Sequence, residues 1–123
     1  MEWSEWHPLT LEGLSKYEPR MSGIYRIALR DAVVEYPKGV SPVIFIGAAP
    51  IRRLTERLQD HLKGWSNQCI YLHFIHGDAL QWQNLIAEDA GGNADTAAKE
   101  FFAEYGALPA CNQSTLRKLP DEL

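Results

Sequence analysis

The chain has 123 residues, of which 46% are hydrophobic and 23% are charged, and its formal net charge is −4. This length supports one hydrophobic core and not two, and four tryptophans argue against a disordered chain. No apolar run approaches the roughly 20 residues of a membrane helix, and the acidic start holds no apolar signal segment, so we expect a soluble cytoplasmic protein without membrane contact.

Positive charge is concentrated in one part of the chain. Residues 16–63 hold nine Lys or Arg against five Asp or Glu, whereas residues 64–123 hold three against eight. A basic segment suits a ligand that carries phosphate, although a solvated surface of mixed charges explains the same distribution.

Residues 1–20 form an arm that we expect to pack on the domain. Trp3 and Trp6 are three positions apart, so in a helical turn they share one face. Large aromatic side chains usually serve packing, which favours a cap over a sheet. Stacking on nucleic-acid bases is the alternative role for these rings.

The next segments predict two strands, over residues 23–29 and 43–46. Residues 31–41 between them are expected to form a hairpin connection. Pro42 lacks a backbone donor, which places the second strand at a sheet edge. If Tyr25 and Phe45 are cross-strand partners, both rings emerge on one face of the hairpin.

A helix is predicted to begin near Pro50 and to end at Gly64. Its apolar face recurs at helical spacing, namely Ile51, Leu54, Leu58 and Leu62. A basic stripe runs beside that face, because Arg53, Arg57 and His61 are each four residues apart.

The remaining pattern predicts a third strand over residues 69–75, a helix over 79–88, a break at 91–93 and a last helix to Tyr105. A crossover through the basic helix can return the chain to the far side of the first strand. The sequence therefore predicts an α+β domain over residues 21–113, in which helices flank a three-stranded antiparallel sheet of order 2-1-3. Residues 114–123 are expected to form a C-terminal tail.

The cysteines and histidines predict no additional site. Cys69 and Cys111 are expected to be small buried thiols, because the expected compartment is reducing and two cysteines make no disulfide framework or zinc motif. His73 and His76 are three apart, so in a strand their imidazoles face opposite sides and do not converge on a metal with Asp78.

Several short motifs, in their order along the chain, resemble the GIY-YIG nuclease family. They are Gly23-Ile24-Tyr25, Phe45-Ile46-Gly47, the pair Arg57 and His61, then Glu100, and Asn112 twelve residues later. Each motif is weak alone, and their joint order and spacing carry the resemblance. The spacing after Gly47 leaves Arg53 as an alternative to Arg57, and the four-residue step to His61 favours Arg57.

The resemblance implies a metal-dependent phosphodiesterase, and within that class it favours an endonuclease. It implies catalytic roles for Tyr25, Arg57, His61, Glu100 and Asn112, and nucleic-acid contacts for Arg52, Arg53 and Lys63. Glu100 offers hard oxygen ligands and would hold Mg²⁺ or Mn²⁺. Arg57 would place guanidinium donors on the phosphate, and His61 would relay a proton. The expected partner is nucleic acid, with DNA ahead of RNA.

Phe45 stands where the family has its second tyrosine, so one hydroxyl is missing. Either Tyr25 serves as the base, or the protein is a degenerate module that binds nucleic acid or a protein partner. A fold relative with an unrelated small-molecule ligand is the third reading. We expect six side chains to line one concavity on one face of the three-stranded sheet: Tyr25, Phe45, Arg57, His61, Glu100 and Asn112.

Overall fold

The computed structural model describes residues 3–17, 23–49, 53–85 and 90–112, and these form an α+β fold. The elements in chain order are β1 (His7–Pro8), α1 (Leu11–Leu14), β2 (Gly23–Leu29), β3 (Val34–Tyr36), β4 (Gly39–Ser41), β5 (Val43–Ala49), α2 (Leu54–Lys63), α3 (Gln68–Ile75), β6 (Leu80–Leu85) and α4 (Ala90–Tyr105). No helix within the described ranges is long and apolar enough to cross a bilayer.

The main sheet has four antiparallel strands in the order β1-β6-β2-β5, and β3 and β4 form a separate hairpin. The expected sheet of three strands is therefore wrong in number. The three long strands lie in the order β5-β2-β6, but the strand beside β2 is β6 and not the expected third strand over residues 69–75. The extra strand comes from the N-terminal arm, where His7 pairs with Trp82 of β6.

Strand β2 divides the core into two parts. Because neighbouring side chains of a strand point to opposite faces, Tyr25 and Ile27 lie on the face covered by α2 and α3. Ile24 and Ala28 lie on the other face, where Phe101 of α4 packs. The two helical layers thus meet different sets of β2 side chains.

Several sequence predictions are confirmed. Strand β2 has the expected bounds, and β5 lies at a sheet edge as Pro42 indicated. Helix α2 ends at Gly64, whose φ of 78° is left-handed, and α4 ends before Gly106, whose φ is 82°. The predicted first turn at Pro50 lies outside the described residues.

Three predictions along the chain are wrong. Residues 69–75 belong to helix α3, because the Asn67 side chain caps its first turn by accepting a hydrogen bond of 3.1 Å from the Ile70 N–H. Most of the segment expected to be a helix over residues 79–88 is strand β6, in which buried Trp82 alternates with partly exposed Gln81. Helix α4 starts at Ala90, so the expected break at 91–93 is also wrong.

Tyr25 and Phe45 share a face, but they are not direct partners. Tyr25 pairs with Gly47, and Phe45 pairs with Ile27, while a register shift after Ile27 inserts one extra residue in β5. The two rings still approach to 6.0 Å between centroids. A Cβ atom on Gly47 would lie 2.6 Å from the Phe45 ring and 2.9 Å from Tyr25, so a side chain at this position cannot fit without movement.

We expect Gly47→Ala to lower the free energy of unfolding by about 1–3 kcal/mol, because an added methyl group displaces two packed rings. Gly39→Ala is the matched control, since its Cβ would meet nothing closer than 3.7 Å. Urea denaturation of both variants measures the difference. Equal stability of the two variants would contradict the packing of Tyr25 and Phe45 around Gly47.

Candidate functional site

A buried hydrogen bond joins two of the predicted site residues. The Tyr25 hydroxyl on β2 lies 2.8 Å from Nε2 of His61 on α2, and each residue is only 2% exposed. The Phe45 ring lies 5.1 Å from the His61 ring and completes the cluster. Sequence reasoning correctly brought these three side chains together.

Burial keeps both members of this pair neutral near neutral pH. Desolvation raises the pKa of Tyr25 well above its ordinary value, and the positive charge of Arg57 only partly offsets the increase. Desolvation, with Arg57 as a second cause, lowers the pKa of His61 to about 4. A tyrosine with a raised pKa is a weaker candidate for a general base than the resemblance implied.

The His61 ring is incompletely satisfied. Its Nδ1 atom is buried and has no hydrogen-bond partner among the residues that the structure describes. A neutral imidazole carries one donor and one acceptor, so the bond to Tyr25 satisfies only one of them. The orphaned nitrogen adds to the cost of burying this residue.

The basic residues of α2 differ in what surrounds them. Arg53 is exposed and forms two hydrogen bonds to the Glu56 carboxylate, at 3.0 and 2.8 Å. Arg57 is also exposed, and its charge acts on both Tyr25 and His61. Between the two arginines, Arg57 is therefore the one placed beside the cluster. Arg52 lies outside the described residues.

A cation and an aromatic ring stand together at the end of α2. The Lys63 ammonium lies 4.9 Å from the centroid of the Trp65 ring. Trp65 is 73% exposed, which is unusual for so large an apolar side chain. Lys63 was predicted from the sequence, but Trp65 was not. The position of Trp65 directly after Gly64, which ends the helix, could have indicated an exposed ring.

Glu100 does not join the Tyr25 cluster. It is exposed on α4, and α4 packs through Ala97 and Phe101 on the face of the sheet opposite Tyr25. There it lines a groove of about 280 Å³ with the Arg26 side chain. The expected single concavity is therefore wrong, because helical spacing alone does not tell which sheet face the last helix covers.

Asn112 acts on the backbone of the edge strand. Its Oδ1 accepts a hydrogen bond of 2.9 Å from the Ile46 N–H, and its Nδ2 donates one of 2.9 Å to the Ile46 carbonyl. The side-chain amide thus takes the place of a neighbouring strand at this point of β5. With its amide held there, Asn112 does not orient Glu100.

The groove on the α4 face contains a cationic side chain that sequence analysis did not identify. The Arg26 guanidinium carbon lies 4.3 Å from the Trp3 ring and 5.6 Å from the Trp6 ring, and Nε donates a hydrogen bond of 2.7 Å to Gln83. Burial lowers the pKa of Arg26. Trp3 and Trp6 cover the sheet here, and Glu100 and Glu104 form the acidic side of the groove.

The cysteines are not free thiols. Cys69 and Cys111 form a disulfide that links α3 to the segment after α4. His73 lies one helical turn after Cys69, and its Nδ1–H donates a hydrogen bond of 2.8 Å to the Asp78 carboxylate. The segment over residues 69–75 is helical, so the strand geometry expected to separate His73 from His76 is wrong. Among the described residues, His73 groups with the two cysteines and not with His76.

No family model, curated protein or solved structure matches this chain.

The buried His61 predicts a pH dependence of stability. Well above pH 6.5 the imidazole is neutral in both the folded and the unfolded chain. As the pH falls from about 7 toward 4, the unfolded chain takes up the proton more readily than the folded chain. The free energy of unfolding should therefore fall over this range, by about 3 kcal/mol from this residue. Denaturant titrations between pH 7 and 4 measure the decrease.

His61→Gln should flatten this part of the profile, whatever its effect on stability at pH 7. The exposed His76 supplies the control, and His76→Gln should keep the slope of the parent. If the parent and His61→Gln lose stability in parallel, a neutral buried His61 is excluded.

Proposed function

We propose that this protein is a catalytically degenerate module of the GIY-YIG type that binds nucleic acid through the α2 side of the sheet. The separation of Glu100 from Tyr25 by the sheet supports the loss of catalysis. The observation that supports binding is the exposed Trp65 ring beside the Lys63 ammonium. This proposal follows the second of the three sequence-based interpretations, in which the missing hydroxyl at Phe45 marks an active site that has been lost.

The geometry opposes hydrolysis by the residues that the resemblance assigned. Cleaving a phosphodiester requires a nucleophile, a route for its proton and a metal at the same phosphate. A Mg²⁺ or Mn²⁺ ion on Glu100 would be on the opposite sheet face from Tyr25 and His61. Tyr25 is buried, bonded to His61 and harder to deprotonate than a free tyrosine.

The α2 side has the features that a nucleic-acid strand recognises. Arg57 is exposed beside the cluster and offers planar donors to a phosphate. Lys63 adds a second positive charge, and the exposed face of Trp65 suits stacking on an unpaired base. These features favour single-stranded nucleic acid, and we infer DNA as the first partner to test.

The metal-dependent endonuclease is the second candidate. It is supported by the cluster of Tyr25, His61 and Phe45 beside Arg57, together with the strand order β5-β2-β6. It would need a carboxylate other than Glu100 for the metal. The charge of Asp60 raises the pKa of Tyr25, so Asp60 is the carboxylate to test for that role.

Cleavage assays separate these candidates. We expect no nicking of circular DNA by the parent chain in Mg²⁺ or Mn²⁺, and none by Phe45→Tyr, because restoring the hydroxyl leaves Glu100 on the other face. Glu100→Ala is the matched control and should behave as the parent. Metal-dependent nicking by the parent that Phe45→Tyr increases, by part of the roughly 10²–10⁴-fold of acid–base catalysis, would establish the nuclease instead.

Binding assays test the proposed surface. We expect Trp65→Ala to weaken binding of a short DNA single strand by about fivefold or more, since stacking on one base contributes roughly 1–3 kcal/mol. Lys63→Gln should weaken binding and lower the salt dependence by about one released counterion. Mobility shifts over a salt series measure both effects.

Lys38→Gln removes the same charge from the loop between β3 and β4 and should bind like the parent. Equal losses for Lys38→Gln and Lys63→Gln would show non-specific attraction rather than the α2 surface. If the parent does not bind DNA or RNA at low salt, a protein partner becomes the function to pursue.

A further inference from the structure

Two sulfurs and one imidazole meet between α3 and the segment after α4. The Sγ atoms of Cys69 and Cys111 and a ring nitrogen of His73 all lie within 4.8 Å of one another. Cys69 and His73 are four residues apart on α3, so they share one helix face. Cys111 comes from a distant part of the sequence, and the disulfide fixes it against that face.

These three groups have the chemistry of a soft divalent metal site. Thiolate sulfur and neutral imidazole nitrogen are the usual ligands of Zn²⁺. Asp78 holds Nδ1 of His73 at 2.8 Å, which leaves Nε2 as the nitrogen for a metal. A carboxylate behind a histidine ligand is the common way of orienting the ring and increasing its basicity.

We propose that Cys69, His73 and Cys111 form a redox-controlled zinc site. In the oxidised chain the two sulfurs are bonded to each other and the site is closed. A dithiol reductant transfers two electrons: the disulfide becomes two thiols, and the reductant becomes a cyclic disulfide. Zn²⁺ then binds both sulfurs as thiolates, with release of two protons, while His73 supplies nitrogen and water occupies the fourth position.

The surroundings permit both steps. Cys69, His73 and Asp78 border an open surface groove, so a reductant and a metal can reach the cluster from solvent. Cys111 is fully buried and does not line this groove, so a reductant meets Cys69 first. The bound metal would keep α3 joined to the segment after α4 when the disulfide is absent.

Cobalt binding to the full chain tests the site. The disulfide is reduced with a phosphine, which takes up oxygen from water as two thiols form and which does not compete as a thiolate ligand. After the reductant is removed under anaerobic conditions, we expect one Co²⁺ per chain, with a thiolate-to-cobalt charge-transfer band that Zn²⁺ abolishes. The oxidised chain should show no band.

Variants assign the ligands. Asp78→Asn should weaken metal binding about 10–100-fold, and His73→Gln should weaken it at least as much. His76→Gln borders the same groove outside the cluster and serves as the control. If reduction loosens the fold, Co²⁺ should restore the circular dichroism of the oxidised chain. A reduced chain without the charge-transfer band, or His73→Gln that binds like the parent, overturns the proposal.

Discussion

The alternation of side chains along the central strand β2 determines which residues lie on each face of the sheet. It is hydrogen-bonded on both sides, so Tyr25 and Arg26 must leave on opposite faces. Tyr25 meets His61 of α2, whereas Arg26 lies between the tryptophans of the N-terminal arm. A helix that packs on one face cannot contribute side chains to a site on the other. The position of α4 therefore determines what Glu100 can do.

Within the α2 layer, the Tyr25–His61 bond is better suited to structure than to proton transfer. Burial raises the pKa of Tyr25 and lowers that of His61, so both partners are neutral near neutral pH. The orphaned Nδ1 of His61 costs free energy, so this pair is held in place by the apolar packing around it. Phe45 beside the pair is consistent with that role, because a second hydroxyl there would need its own hydrogen-bond partner.

The parts of the fold that sequence reasoning predicted are those with local causes. Gly64 and Gly106 end helices through backbone conformations that glycine favours, and Pro42 correctly indicated an edge strand. Residues 69–75 were misassigned because a short apolar run fits either a strand or a helix, and the Asn67 cap decides between them. Sequence spacing does not determine which face of the sheet Glu100 lies on. It also does not determine that Cys69 pairs with Cys111, because both depend on tertiary packing.

The chain segment after α4 has two consecutive residues, Cys111 and Asn112, with structural contacts. An edge strand leaves backbone donors and acceptors unpaired, and Asn112 satisfies both groups of Ile46. Its neighbour Cys111 is bonded to α3, and the Cys111 carbonyl accepts a hydrogen bond from Asn67 at the start of that helix. Two consecutive residues thus connect the sheet edge to the α3 layer. Because Cys111 adjoins Asn112, the proposed metal site would lie one residue from the side chain that pairs the sheet edge.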